Sequence, residues 1–153
     1  MGREGSRKVV IDTYTLLAIV YDEVGDSARN VLEGIRRGDI DGLIPATVLY
    51  VYVVHWLRGR IPGLRSIDEL VTYLRSYFKI VELDLNDYIN AAKIKIEGDK
   101  MLAEAKDVTL RSRRLSMVDS TVITVAHKAK SPIVTGDKDL TYVARKMGVE
   151  VIW

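Results

Sequence analysis

A chain of 153 residues that is 48% hydrophobic and 29% charged can bury roughly two-thirds of its unfolded surface, and it is too apolar and evenly charged for intrinsic disorder. With no cysteine and only two histidines, disulfides and thiolate metal sites are excluded and an ordinary zinc site is disfavoured, so any metal would be held by oxygen. The net charge of +2 does not by itself mark a nucleic-acid binder, which leaves local clusters to carry such contacts.

Glutamine is absent and asparagine occurs only at Asn30, Asn86 and Asn90, a scarcity of thermolabile side chains that points to a thermophilic source. The charged start at Met1 to Lys8 runs directly into an apolar strand and does not form a signal peptide. The longest apolar stretch, Val48 to Leu57, contains His55 and falls well short of the roughly twenty residues that cross a bilayer. The expectation is a cytoplasmic chain with no membrane contact, forming one domain over 1–153.

In chain order, Lys8 to Asp12 reads as a short strand ending in an acid, and Tyr14 to Val20 as a helix. Asp26-Ser27 can cap a second helix to Arg37, with Ala28, Val31, Leu32 and Ile35 at helical spacing and Gly38 as its stop. Gly42 to Ile44 is a second strand. Pro45 then suits the first turn of a buried helix over Ala46 to Arg58, which Gly59 and Pro62 end. Ser66 and Glu69 form a capping-box pattern opening a helix to about Tyr77, and Lys79 to Leu83 alternates as a strand. Asp84 to Ala105 is helical with an interruption at Gly98. A helix over Leu115 to Lys128 carries Asp119, Ser131 to Thr135 is a strand, Leu140 to Lys146 a short helix capped by Gly148, and Val149 to Ile152 a closing strand.

Short apolar strands alternating with helices predict an α/β fold, a three-layer α/β/α sandwich around a parallel sheet of roughly five strands. In such sheets the ligand lies beyond the carboxyl ends of the strands. There the sequence places Asp12 after the first strand, Asp137 and Asp139 in the turn after Thr135, and Asp119 on the intervening helix. Carboxylates from separate elements supply the oxygen ligands that Mg²⁺ or Mn²⁺ prefers. Taken singly, Asp12 serves equally well as a helix N-cap, and an aspartate in a turn means little. Asp119 is harder to explain structurally, because an apolar-faced helix has no use for it. Arg111, Arg113 and Arg114 just before it are candidates for drawing nucleic-acid phosphates toward an acidic cluster. Tyr50, Tyr52, His55 and Trp56 read as core or dimer interface.

Val9-Val-Ile-Asp-Thr13, Ile44-Pro-Ala-Thr-Val-Leu-Tyr50, Ser116-Met-Val-Asp-Ser120 with Ala126, and Ile133-Val-Thr-Gly-Asp-Lys-Asp-Leu140 occur in an order that resembles the PIN-domain family, many of whose toxin members are VapC-like ribonucleases. The resemblance spans nearly the whole chain. It implies a Mg²⁺- or Mn²⁺-dependent endoribonuclease acting on RNA, the toxin of a type II toxin-antitoxin pair, dimeric and silenced by a small antitoxin protein. By position it makes Asp12, Asp119 and Asp137 the catalytic metal ligands, with Asp139 supporting the metal. Thr135 would position the turn, and Thr13 stands where a small hydroxyl residue follows the first acid.

The sequence departs from the family at Val51, where a glutamate is expected six residues beyond Pro45, and at Tyr14, where serine is common. Two readings of Val51 stay open: a weakened or disabled nuclease, or replacement of the lost acid by Glu23 or Asp22. Two other functions stand beside the ribonuclease. One is a catalytically silent PIN domain that binds RNA or a protein partner. The other is a receiver-type regulatory α/β module.

Overall fold

The computed structural model describes residues 6–153, so the part of the single-domain expectation that concerns 1–5 lies outside the described residues. The first strand, β1 (Arg7–Ile11), is fully buried from Val9 onward, as a strand covered on both faces must be. Asp12 caps α1 (Thr13–Val20), and after a turn α2 (Asp26–Arg36) follows with Ala28, Val31 and Ile35 inward. Its N-cap is Gly25 rather than the expected Asp26-Ser27 pair, and no side chain caps it. An added Cβ at Gly25 would lie 2.7 Å from the backbone of Trp153, so the chain end occupies the space a capping side chain needs.

β2 (Ile40–Pro45) runs directly into α3 (Ala46–Leu57), as the proline predicts. Ser66 caps α4 (Ile67–Tyr77) by accepting from the Glu69 amide at 3.1 Å. β3 (Phe78–Val81) leads into α5 (Leu85–Ala103), opened by a reciprocal capping box between Asp84 and Asp87.

α5 crosses Gly98 without a break, which corrects the expected interruption. A Cβ there would stand 2.8 Å from Leu115 and 3.1 Å from Val143; the glycine permits close helix packing instead of ending the helix. A one-turn helix absent from the sequence reading, α6 (Val108–Arg111), caps on Asp107. α7 (Met117–Ala129), β4 (Ile133–Val134), α8 (Lys138–Lys146) and β5 (Val151–Ile152) complete the chain.

The five strands form one parallel sheet in the order β3-β2-β1-β4-β5. Strand order therefore reverses between β1 and β4, and right-handed crossovers place the helices before and after that reversal on opposite faces. The result is the expected three-layer α/β/α sandwich. A receiver-type module has strand order 2-1-3-4-5, so that alternative is overturned. Among the described residues no helix is long and apolar enough to cross a membrane.

Candidate active site at the strand switch point

β1 and β4 pair through Val10–Ile133 and Ile11–Val134, so the residues just beyond them leave the sheet side by side. Asp12 is buried there with both oxygens engaged. Its Oδ1 accepts the Thr15 amide at 3.0 Å and its Oδ2 accepts the Thr135 hydroxyl at 2.6 Å. Thr135 Oγ1 in turn accepts the Asp137 amide at 3.1 Å, so one threonine locks the acid of β1 to the turn after β4. Thr15, unremarked in the sequence, donates its hydroxyl to the Val134 carbonyl at 2.6 Å and ties α1 to the same strand end. The available signal was a hydroxyl residue three positions after a capping acid.

Asp137 caps α8, its Oδ1 accepting the amides of Asp139 and Leu140 at 2.9 and 3.1 Å. Asp119 lies in the first turn of α7 behind the Ser116 cap. The acids are close enough to oppose one another's ionisation. Burial, with a smaller push from Asp137, raises the Asp12 carboxyl to about 6 against the pull of its Thr135 and Thr15 hydrogen bonds. Burial, then Asp137 and Asp12, raise Asp119 to about 7. Neither has a cation within ion-pair distance among the described residues, and that combination of burial and repulsion is what a bound cation relieves.

The site is not preassembled: among the described residues no three acidic or imidazole side chains stand together as a metal-binding group. The carboxylates share a region without closing on one point, and holding an ion requires Asp119 and Asp137 to reorient. The donor chemistry does fit a hard divalent cation, since every candidate is a carboxylate oxygen. Thr13, the first residue of α1, adds an observation: among the described residues its Oγ1 is the buried side-chain polar atom left without a hydrogen-bond partner, directly beside Asp12.

Asp139 is buried and ion-paired with Arg113 at 2.9 Å. That pairing changes the reading of two residues at once, because the aspartate is already neutralised and the arginine is not free for phosphate. Arg111 donates from Nε to the Ala105 carbonyl at 2.7 Å and braces the loop. Arg114 is exposed and sits 3.8 Å from Asp99. The structure thus brings only Arg113 of the three to the acids.

α3 carries no acid anywhere along Ala46–Leu57. Where it meets α7, Thr47 and Thr121 share a buried hydroxyl hydrogen bond of 2.6 Å, and Val51 lies half-buried one turn farther on. Neither proposed substitute reaches the site. Asp22 and Glu23 are exposed beyond the far end of α1, roughly 12 Å along the helix from Asp12, and Asp22 pairs with Arg29 at 3.2 Å. The fourth carboxylate that Asp119 does feel is Asp139.

The sequence reading also passed over the residues that shape the Asp137 turn. A Cβ at Gly136 would fall 2.5 Å from the Trp153 ring and 2.7 Å from Tyr14, and those two rings meet edge to face at 5.4 Å. The glycine between Thr135 and Asp137 was the legible signal; its aromatic neighbours come from opposite ends of the chain.

A sequence model described as "PIN domain" matches residues 9–146. No curated protein matches the chain. Among solved structures, VapBC2 from Rickettsia felis, bound to a DNA fragment from its promoter, is similar at 16% identity and TM-score 0.59, covering 94% of this chain and 96% of that one. A Pyrobaculum aerophilum protein matches at 16% identity and TM-score 0.56, covering 95% of this chain and 89% of its own. A domain of a functionally unknown protein from Methanocaldococcus jannaschii matches at 18% identity and TM-score 0.51, with coverage of 95% and 89%. At these identities the likeness is one of fold.

Proposed function

The chain belongs to the PIN domain family, and from that premise we propose that it is a Mg²⁺- or Mn²⁺-dependent endoribonuclease, weakened by Val51, that serves as the toxin of a type II toxin-antitoxin pair. The observation that carries the reading is the pair of buried, mutually repelling aspartates, Asp12 and Asp119, left without a cation at the strand switch point. Asp12, Asp119 and Asp137 would hold the ion, with Asp139 adding charge nearby. When bound there, such an ion lowers the pKa of a water molecule and offsets charge on the attacked phosphodiester.

The chain's own part is positional. Thr15 and Thr135 fix both oxygens of Asp12, Thr135 also sets the turn that presents Asp137, and Asp119 is free to swing from the first turn of α7. Arg113 holds Asp139 in reserve. Without an acid on α3 the cluster has less charge to bind an ion, which favours weak activity. The same observation sustains the second reading, a silent PIN domain that binds RNA or a protein.

The toxin assignment brings a small antitoxin partner, and the likeness to VapBC2 supports it. A homodimer is supported by Tyr50 and Leu57, each 71% exposed on α3. One domain over 1–153, a cytoplasmic location and a thermophilic source complete the proposal.

The test compares cleavage of several structured RNAs in Mn²⁺ by the native chain, Asp119→Asn and Val51→Glu. We expect slow cutting by the native chain, at least tenfold faster cutting by Val51→Glu, and none by Asp119→Asn. Inactivity of all three would sink the nuclease and leave the silent reading.

A further inference from the structure

Beside the carboxylates, on the far side of the Thr135-Gly136 turn, lies an open cavity of about 530 Å³. Its charged lining is lopsided. Lys138, Arg145 and Lys146 face it against Asp107 alone, and none of the three cations has an ion-pair partner among the described residues. Asp107 is itself occupied, accepting from the amide and hydroxyl of Thr109 at 3.0 and 2.7 Å, although Lys138 is near enough to stabilise its charge. Two aromatic residues complete the wall. Tyr142 lies under the Lys146 ammonium at 5.7 Å, and Trp153 is wedged against Gly136 with its ring partly exposed.

Unpaired cations beside partly exposed aromatic faces are the combination that holds a single nucleic-acid strand, the cations taking phosphate and the rings stacking on a base. Position matters as much as composition. Thr135 lines this cavity and is also the residue that binds Asp12 and the Asp137 amide, so the cavity and the acids share one wall.

We propose that this cavity is a nucleotide subsite: it holds the nucleotide next to the scissile phosphate of a single-stranded RNA, with Lys138 and Arg145 on its phosphate and Trp153 against its base. The subsite supplies what the arginines before α7 do not. Arg111 and Arg113 are engaged within the protein, and an acidic cluster repels a polyanion unless cations beside it compensate. The inference rests on the RNA-cutting reading for its ligand, but its test does not require cleavage.

The experiment is binding in EDTA, where metal-dependent cutting is suppressed. A short 5′-labelled single-stranded RNA is titrated with the native chain, with Lys138→Ala/Arg145→Ala and with Asp119→Asn, and anisotropy is followed from 50 to 200 mM salt. The double variant is expected to bind at least tenfold more weakly, and its log Kd against log salt slope to fall by about 1.4, at roughly 0.7 per lost phosphate contact on a single strand. Asp119→Asn should bind as tightly as native or more tightly.

Because the chain has two tryptophans, Trp56→Phe leaves Trp153 as sole reporter, and RNA should quench it. Circular dichroism establishes that each variant is folded. Unchanged affinity in the double variant would overturn the subsite, as would a duplex of the same sequence, its bases closed in the stack, binding as tightly as the single strand. The two readings also fail separately. Mn²⁺-dependent cutting that ignores Lys138→Ala/Arg145→Ala keeps the nuclease and discards the subsite, whereas tight, Trp153-quenching binding without cutting does the reverse.

Discussion

Two sets of aspartates lie in this molecule only a helix apart and are treated in opposite ways. On α5, Asp87 accepts the Asp84 amide at 3.0 Å and Lys128 at 3.3 Å, and its carboxyl lies below the usual range, chiefly through that backbone hydrogen bond. Asp99 is pushed up by burial but pulled further down by Lys95 at 2.7 Å and the Leu115 amide at 2.8 Å. At the switch point Asp12 and Asp119 face other acids and sit near 6 and 7. Structural carboxylates are supplied with cations by the fold. The switch-point acids are supplied with hydrogen bonds that fix their position and with nothing that cancels their charge, so the fold bears an electrostatic cost there that a bound cation would remove.

The sharpest break in this comparison is a difference of sign between two substitutions. Asp87→Ala removes one half of the α5 capping box and a charge-assisted contact to Lys128, and is expected to lower stability by about 2 kcal/mol. For a chain of this size that lowers Tm by roughly 4 to 8 °C, with or without Mn²⁺. Asp119→Asn should leave the metal-free Tm at pH 8 unchanged or raise it, and should abolish the stabilisation that Mn²⁺ gives the native chain. Thermal denaturation with and without Mn²⁺ checks both. A destabilised Asp119→Asn in EDTA would place Asp119 among the structural acids.

The pH profile is the next effect in size. A carboxyl whose pKa is higher folded than unfolded makes the folded state bind more protons in between, so stability falls as pH rises through that window. For Asp12 and Asp119 the window runs from about 4 to 6 and from about 4 to 7. For Asp87 and Asp99, lowered in the folded state, the sign reverses: their contribution is present above the unfolded pKa and is lost as pH drops through the folded one. The metal-free protein is therefore expected to be most stable in mildly acidic solution and to lose on the order of 1 to 2 kcal/mol by pH 8, a figure scaled down for the partial exposure of Asp119. Denaturant unfolding at pH 5 and 8 measures it. The loss should shrink in Asp119→Asn and in saturating Mn²⁺; a profile that rises from pH 5 to 8 would contradict the unneutralised cluster.

The strand ends carrying Asp12 and Asp137 were legible because apolar runs ending in an acid keep their position however the rest packs. Features that depend on a distant partner were not. Gly98 reads as a helix break until Leu115 and Val143 are seen against it, and the Asp26 cap yields to Gly25 because Trp153 arrives from the far end of the chain. The arginine run before α7 looked like one surface, yet its members go separately to Ala105, Asp139 and Asp99. Asp12, Asp119 and Asp137 were found by order and chemistry, whereas the spacing that leaves them short of a closed ligand set is a three-dimensional fact.

Asp139 belongs to neither set cleanly, and Arg113→Ala decides where it falls. The pair is short, but the arginine side chain is 61% exposed, so its loss should cost less than about 1 kcal/mol and lower Tm by no more than roughly 2 °C. Its effect on metal should be larger than its effect on stability. Freed of its cation, Asp139 adds a negative charge beside Asp119 and Asp137, and Mn²⁺ affinity, read by calorimetric titration, is expected to rise two- to fivefold. Were the affinity unchanged while stability fell by 1 kcal/mol or more, Asp139 would be a structural acid of the Asp87 kind, and the cluster would have three members rather than four. With α3 lacking an acid, that outcome would leave Asp12, Asp119 and Asp137 alone to hold an ion and would account for weak metal binding without invoking Val51 a second time.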